Sequence, residues 1–272
     1  MTRQINKDTT LCMSLAARPS NFGTRFHNFL YDALDLDYIY KAFTTTDLAA
    51  AIGGVRALGV RGCAISMPFK EACIPMVDEL DPSAKVIDSV NTIVNTNGYL
   101  KAYNTDYIAI AKLLNEHQVP SDLVFALRGS GGMAKAVACA LKDAGFKKGY
   151  IVARNEVAGK QLAGLYGFDW APEMTGVEAD MLINVTPIGM AGGADAETLA
   201  FTESNIERAQ IIFDVVALPA ETPLIRYART LGKKVITGAE VFAIQAVEQF
   251  VLYTGIRPSD KVFQQAAKYA RG

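Results

Sequence analysis

The sequence predicts an α/β fold in two parts, and three observations carry that prediction. An apolar run beginning at Val124 stops abruptly at Gly129, and Gly129, Gly131 and Ala134 then fit G-x-G-x-x-A at the opening of a helix-patterned segment. The first hundred or so residues alternate between strand-like and helix-like patterns, as a β-α-β-α-β unit does. The chain has 272 residues, half of them hydrophobic and a fifth charged, which suits two modest domains with a sizeable core.

Taken in order, Thr10 to Ala16 is a short apolar strand. The loop Arg18-Pro-Ser-Asn-Phe-Gly23 opens a helix to about Leu34, with Phe26, Phe29, Leu30 and Leu34 on one face. Tyr38 to Phe43 alternates as a strand. Thr46 or Asp47 caps a helix to about Leu58, which Gly59 ends. Val60 to Met67 is a strand stopped by Pro68. Phe69 to Leu80 reads as a helix broken by Asp81-Pro82. Ser89 to Asn95 is a strand, Asn97-Gly98 a hairpin turn, and Tyr99 to Tyr103 the return strand. Thr105 to His117 is helical.

The second part begins with the strand that ends at Gly129. Ala134 to Leu141 is its helix and Phe146 to Arg154 the next strand, completing a βαβ unit. Glu156 to Tyr166 is helical. Asp180 to Val185 is a buried strand running into Thr186-Pro-Ile-Gly-Met190, and Ala191 to Ala196 a small-residue loop. Gln210 to Val216 is a strand, Pro223 to Leu231 a helix and Lys234 to Ile236 a last strand. Gly238 to Tyr253 and Pro258 to Ala270 are helices.

A strand, a glycine turn and a helix start make a site for a pyrophosphate. The first glycine permits the turn, the second lets backbone N–H groups approach, and the small third residue lets the helix lie close to the strand. The helix N-terminus adds roughly half a positive charge. Composition narrows the partners. The formal charge is −1 with no basic run, which points away from nucleic acid and acidic membranes. Cys12, Cys63, Cys73 and Cys139 show no C-x-x-C spacing and read as buried thiols of a reducing compartment. His27 and His117 are too few for most histidine metal sites, so no metal is expected. The N-terminal ten residues lack an apolar signal core, and no apolar run approaches the ~18 residues needed to span a bilayer. A soluble, cytoplasmic protein is expected, a monomer or homodimer acting on a small molecule.

Three polar clusters sit at element ends. Lys70, in Ser66-Met-Pro-Phe-Lys-Glu71, lies in a first helical turn, where the helix dipole disfavours a cation and can lower its pKa; the alternative is a surface lysine. Asn91, in Ser89-Val-Asn-Thr92, opens a strand and is otherwise a capping or turn asparagine. Asp106, in Tyr103-Asn-Thr-Asp-Tyr107, starts a helix, where an acid is favourable on electrostatic grounds alone.

These segments, with Met67-Pro-Phe-Lys-Glu71, Asn104-Thr-Asp106, Gly129-Ser-Gly-Gly132, Asn184-Val-Thr-Pro-Ile-Gly-Met190, Thr222-Pro-Leu224, and Gly238 with Gln245, resemble the shikimate dehydrogenase family over nearly the full chain. The resemblance implies a substrate domain, residues 1–101 with 238–272, and a Rossmann NADP domain, residues 102–237, with the cleft between them and the last helices returning to the first. It implies Lys70 and Asp106 as the catalytic pair, with Ser20, Asn21, Ser66, Asn91 and Gln245 on the substrate. Gly129, Ser130, Gly131, Gly132, Met133, Ala134, Arg154, Asn155, Thr186, Met190, Val216 and Gly238 would line the cofactor site. The reaction implied is reversible oxidation of shikimate to 3-dehydroshikimate.

The second Rossmann strand ends Ile151-Val-Ala-Arg-Asn155, with no acid before Glu156. An acid there reads the ribose hydroxyls of NAD; Arg154 instead suits the 2′-phosphate of NADP. Arg154 matches the basic residue of the family's Asn-Arg-Thr motif, whose Asn is Ala153 here and whose Thr is Asn155. Other departures concern the substrate carboxylate. The family's Ser-Lys-Ser clamp corresponds to Ser20-Asn-Phe-Gly23, and its tyrosine after the late strand to Ala217. Losing two hydrogen bonds to a charged group costs roughly 1.5–3 kcal/mol each, so low activity on shikimate is expected, with a different cyclic polyol or hydroxy acid as a possible substrate. Two other readings compete: a quinate/shikimate dehydrogenase using NAD, against which Arg154 counts, and a non-catalytic NADP-binding regulator, which has no use for both Lys70 and Asp106.

Overall fold

The structure, a computed structural model, describes residues 4 to 271. The chain clusters into two compact units, parted at Thr105/Asp106 and at Phe242/Ala243.

In the first unit, β1 (Thr10–Leu15), α1 (Phe22–Ala33), β2 (Tyr38–Phe43), α2 (Leu48–Ala57) and β3 (Gly62–Ile65) follow the expected order. Asp47 caps α2, its carboxylate accepting from the Ala50 amide at 2.9 Å. The stretch read as one helix from Phe69 to Leu80 is not one. It holds a single-turn α3 (Phe69–Ala72), a 3₁₀ turn over Ile74–Met76 and a two-residue β4 (Glu79–Leu80). Pro75 has no N–H to continue a helix, and Asp78 turns the chain by binding Arg56 at 2.6 Å and the Leu100 amide at 2.7 Å. Asp81-Pro82 does not break a helix but starts one. Asp81 caps the Ser83 amide at 3.0 Å, and Pro82 takes the first position of α4 (Pro82–Lys85), where its missing donor is harmless. β5 (Thr92–Thr96) and β6 (Tyr99–Tyr103) form the hairpin, with Asn97 and Gly98 both at positive φ. The sheet order is β2-β1-β3-β5-β6-β4, with β3 and β5 antiparallel.

The second unit comprises most of α5 (Thr105–Glu116), then β7 (Phe125–Arg128), α6 (Gly132–Asp143), β8 (Gly149–Val152), α7 (Glu156–Tyr166), β9 (Asp169–Ala171), β10 (Met181–Asn184), α8 (Glu203–Arg208), β11 (Ile211–Asp214), α9 (Pro223–Thr230) and β12 (Lys234–Thr237). β9 and α8 were not anticipated; both are too short to carry a periodic signal. All six strands pair in parallel, in the order β12-β11-β10-β7-β8-β9. Counted from β7, that is 3-2-1-4-5-6, the doubly wound order whose ligand crevice opens between the first and fourth strands, here β7 and β10.

α10 (Gly238–Thr254) begins in the second unit and continues into the first. α11 (Asp260–Arg271) packs on α1, with Phe263 edge-on to Phe26 at 6.3 Å and Tyr269 against Phe29 at 5.3 Å. All four cysteines are buried thiols. Among the described residues, no helix is long and apolar enough to cross a membrane, and no group of three or more His, Cys, Asp or Glu could hold a metal ion.

Candidate active site

In the first unit the sheet gathers several candidate side chains along one edge. β1 and β3 run in parallel and end together at Leu15 and Ile65. Beyond them the Ala17 amide donates to Met67 at 3.1 Å and the Ser66 amide to Leu15 at 2.9 Å. Ser20 and Asn21 lie exposed on the loop after β1; Asn21 sits at the head of α1 without capping it through its side chain. β5 runs the opposite way, so its start reaches the same edge. The Ile65 amide donates to Asn91 at 2.7 Å and the Val90 amide to the Lys70 carbonyl at 2.9 Å. Ser66, Lys70 and Asn91 are thereby neighbours in the sheet edge. Lys70 is half-buried on the one turn of α3. Since α3 is four residues long, the helix field expected at Lys70 is confined to that turn.

Asn91 is fully buried and already employed. Its Oδ1 accepts from the Thr105 amide and the Thr92 hydroxyl, each at 2.8 Å, and its Nδ2 donates to Thr105 Oγ1 at 3.1 Å. An amide has two N–H bonds, so a second donor remains. The residue missed from sequence is Gln249. It is buried on α10 and donates through Nε2 to Thr92 Oγ1 at 2.9 Å and to the Asn91 carbonyl at 3.2 Å. The available signal was a glutamine inside the apolar stripe Ala246, Val247, Phe250 and Tyr253. Gln245 is half-buried one turn earlier on the same helical face.

In the second unit, Asp106 opens α5 and is 1% exposed. Gly129 closes β7 at φ +130°, and a Cβ there would meet Val185 Cγ2 at 2.7 Å and Thr186 Cγ2 at 3.5 Å. Only glycine fits both the dihedral and the gap, which joins the turn to the segment after β10. Ser130 is half-buried, Gly131 caps α6, and Gly132 and Met133 form its first turn. Ala134 is fully buried, as its packing role requires. Arg154 is exposed beyond β8. Asn155 caps α7, its Oδ1 accepting from the Ala158 amide at 3.1 Å.

A buried polar knot holds the other wall. Asn184 Oδ1 accepts from Thr186 Oγ1 at 2.6 Å and its Nδ2 donates to Asp214 at 3.0 Å. Thr222 donates to the same carboxylate at 2.6 Å and the Val216 amide at 3.1 Å. Burial pushes the Asp214 carboxyl up to about 6, against the pull of these three donors. Met190 is 36% exposed on the following loop. A Cβ at Gly238 would lie 2.3 Å from the Val216 carbonyl oxygen, so backbone contact requires glycine there whatever else it binds. Thr237 and Glu240 then close a capping box on α10, with a 2.8 Å bond from the Thr237 amide to the Glu240 carboxylate.

Comparison with known proteins identifies the lineage. A family model of the shikimate dehydrogenase substrate binding domain matches residues 22–93. A shikimate dehydrogenase-like protein of Haemophilus influenzae is 58% identical, over 98% of this chain and 98% of its own. The chain belongs to the shikimate dehydrogenase family. An NADP(+) shikimate dehydrogenase of Pyrococcus abyssi is 35% identical over 89% of this chain and 90% of its own. A solved shikimate 5-dehydrogenase-like protein superposes with a TM-score of 0.93 at 58% identity, covering 99% of this chain and 100% of that one. The Thermus thermophilus shikimate 5-dehydrogenase, solved with NADP(H) and shikimate, gives 0.86 at 28% identity, with 96% and 99% covered. The fold matches that of these relatives, an N-terminal substrate domain followed by a Rossmann-like one.

Proposed function

We propose that this protein is an NADP-dependent dehydrogenase of a ring hydroxyl that accepts shikimate poorly. The observation that carries the proposal is the Gly129 turn at the strand-order switch, with Arg154 at the end of the next strand. A Cβ at Gly131 would meet nothing within 4 Å. The protein's own packing therefore leaves that side open, as a turn that receives a pyrophosphate requires. Relatives named as NADP(+) enzymes support the cofactor.

Oxidising a secondary alcohol takes a hydride from carbon and a proton from oxygen. NADP, when bound, accepts the hydride. Lys70 receives or relays the proton, and Asp106 orients the same hydroxyl. The second Nδ2 hydrogen of Asn91 and the amide of Gln245 read neighbouring hydroxyls. Ser66 supplies another at the same edge, and Gln249 fixes the Asn91 backbone. Ser20 and Asn21 are the polar groups left on the loop that faces a carboxylate in the family. Thr186, Met190, Val216 and Gly238 line the nicotinamide side, while Ser130, Gly132, Met133 and Asn155 add backbone or amide donors near the phosphates.

Two measurements test this reading. Initial rates with NADP and NAD at equal concentration should favour NADP clearly. Arg154→Ala should raise KM for NADP while changing kcat less, because a 2′-phosphate contact stabilises ground and transition states alike; comparable rates with both cofactors reject the cofactor assignment. Shikimate should be oxidised detectably but slowly, with a KM that falls when Ala217→Tyr restores a hydroxyl. Rates with shikimate in the ordinary range of about 1–10³ s⁻¹ would reject the weak-carboxylate reading. A screen of cyclic polyols and hydroxy acids against NADP then identifies the better substrate.

A further inference from the structure

The residue immediately before the glycine turn is Arg128. It closes β7 in register with Val152 of β8 and Asn184 of β10. Strand alternation puts it on the face of Ala126 rather than that of Phe125 and Leu127. Ala126, Val152 and Phe201 share one core cluster, so this is the face where the chain's apolar packing ends at Arg128. Its guanidinium is fastened there: Nη1 donates to the Ala200 carbonyl, and the group lies 5.9 Å from the centre of the Phe201 ring. Arg154 stands two residues beyond Val152. Burial, and after it the nearby charge of Arg154, holds Arg128 below the ordinary arginine range.

Among the described residues neither arginine forms an ion pair. The nearest acid in sequence, Glu156, is taken by Lys160 at 2.7 Å. Arg128, fixed by a carbonyl and an aromatic ring at the end of β7, and Arg154, two residues past its register partner, set two cations at adjacent strand ends, where an anion would offset their charge. One Arg128 donor is used on Ala200, and a guanidinium has five, so a bidentate fork remains. A phosphate monoester, with a charge near −1.5 to −2, is an anion that two such groups satisfy together.

We propose that Arg128 is a specificity-determining residue of the nucleotide site, forming with Arg154 a two-arginine clamp for a dianionic phosphate on the adenosine ribose. The proposal rests on the NADP reading above and adds a residue to it. The competing role for Arg128 is structural, tying the Ala200–Phe201 segment to the sheet.

Isothermal titration of the full-length protein with adenosine 2′,5′-bisphosphate and with 5′-AMP separates the two. The wild type should prefer the bisphosphate. Arg128→Gln should weaken the bisphosphate by roughly tenfold or more, the worth of a charge-assisted hydrogen bond, and change 5′-AMP by less than about twofold. The salt dependence of bisphosphate binding should flatten in the same variant. Equal weakening of both ligands, or an unchanged preference, overturns the clamp. Should Arg128→Gln not fold, Arg128→Lys carries the test: it keeps the charge but loses the fork, so the preference must fall, and an unchanged preference overturns the proposal. A wild type that does not distinguish the two ligands rejects the NADP reading itself, before any variant is compared.

Discussion

Lys70→Ala is expected to lower turnover on every accepted substrate by on the order of 10²–10⁴-fold, the usual worth of a positioned acid–base group. The lysine stands on one turn of helix whose backbone is pinned to Val90, beside the sheet edge that carries Ser66 and Asn91. On the mechanism proposed above, removing the lysine amine takes away both a proton acceptor or relay and a hydrogen bond to the reacting oxygen. NADP affinity should be nearly unchanged, because the glycine turn belongs to the other unit. Asp106→Asn should lower kcat as well, keeping size while removing charge. Steady-state rates and cofactor titration on the same preparations check both expectations. Full activity in Lys70→Ala would remove the chemical basis for the dehydrogenase reading.

Acid should destabilise the protein through His27. The ring is fully buried and stacked on Tyr40 at 4.4 Å, with Phe26, Tyr253 and Phe250 rings within 6.2 Å. Neither ring nitrogen has a hydrogen-bond partner among the described residues. Burial pushes its pKa down to about 3, against 6.5 ordinarily. Between those values the unfolded chain binds a proton that the folded one does not, so stability falls as pH drops through 6.5 and the loss is complete near 3. It amounts to about 2 kcal/mol by pH 5 and about 4–5 kcal/mol by pH 3. Asp214 works in the opposite sense. Its carboxyl is raised to about 6 from 3.8, so the folded chain binds the extra proton in that window and stability falls as pH rises through it. The wild-type slope therefore mixes two signs. His27→Phe, which keeps an aromatic ring, isolates one of them: its stability relative to wild type, from urea unfolding at pH 8, 6.5 and 5, should improve steadily as pH falls. A difference independent of pH would contradict this account.

Much of the fold was legible in the sequence because the signals were local. Asp47 before an apolar stripe, Asn97-Gly98 between alternating runs, and Gly129 after Leu127 each act within a few residues. The failures lie where distant residues decide. Phe69 to Leu80 has helical spacing, but the chain there is set by Arg56 and Leu100 gripping Asp78. Gln249 has its partners, Asn91 and Thr92, more than 150 positions away in the chain. Asn155 sits beside the expected phosphate site, yet its side chain caps α7. The role of Arg128 was hidden for the same reason, since Ala200 and Phe201 are remote in sequence.

The contact between Gly23 and Tyr40 bears on the order in which this protein could change. A Cβ at residue 23 would stand 3.3 Å from both Cε1 and the hydroxyl of Tyr40, a ring that is buried and stacked on His27. A serine at 23, the clamp hydroxyl of the family, therefore presses on a side chain with little room to yield. The two positions are coupled: Tyr40 has to give way by a few tenths of an ångström for that serine, and its ring is stacked on His27. An engineer placing a hydroxyl at residue 23 has reason to vary residues 23, 40 and 27 together, since the packing links all three.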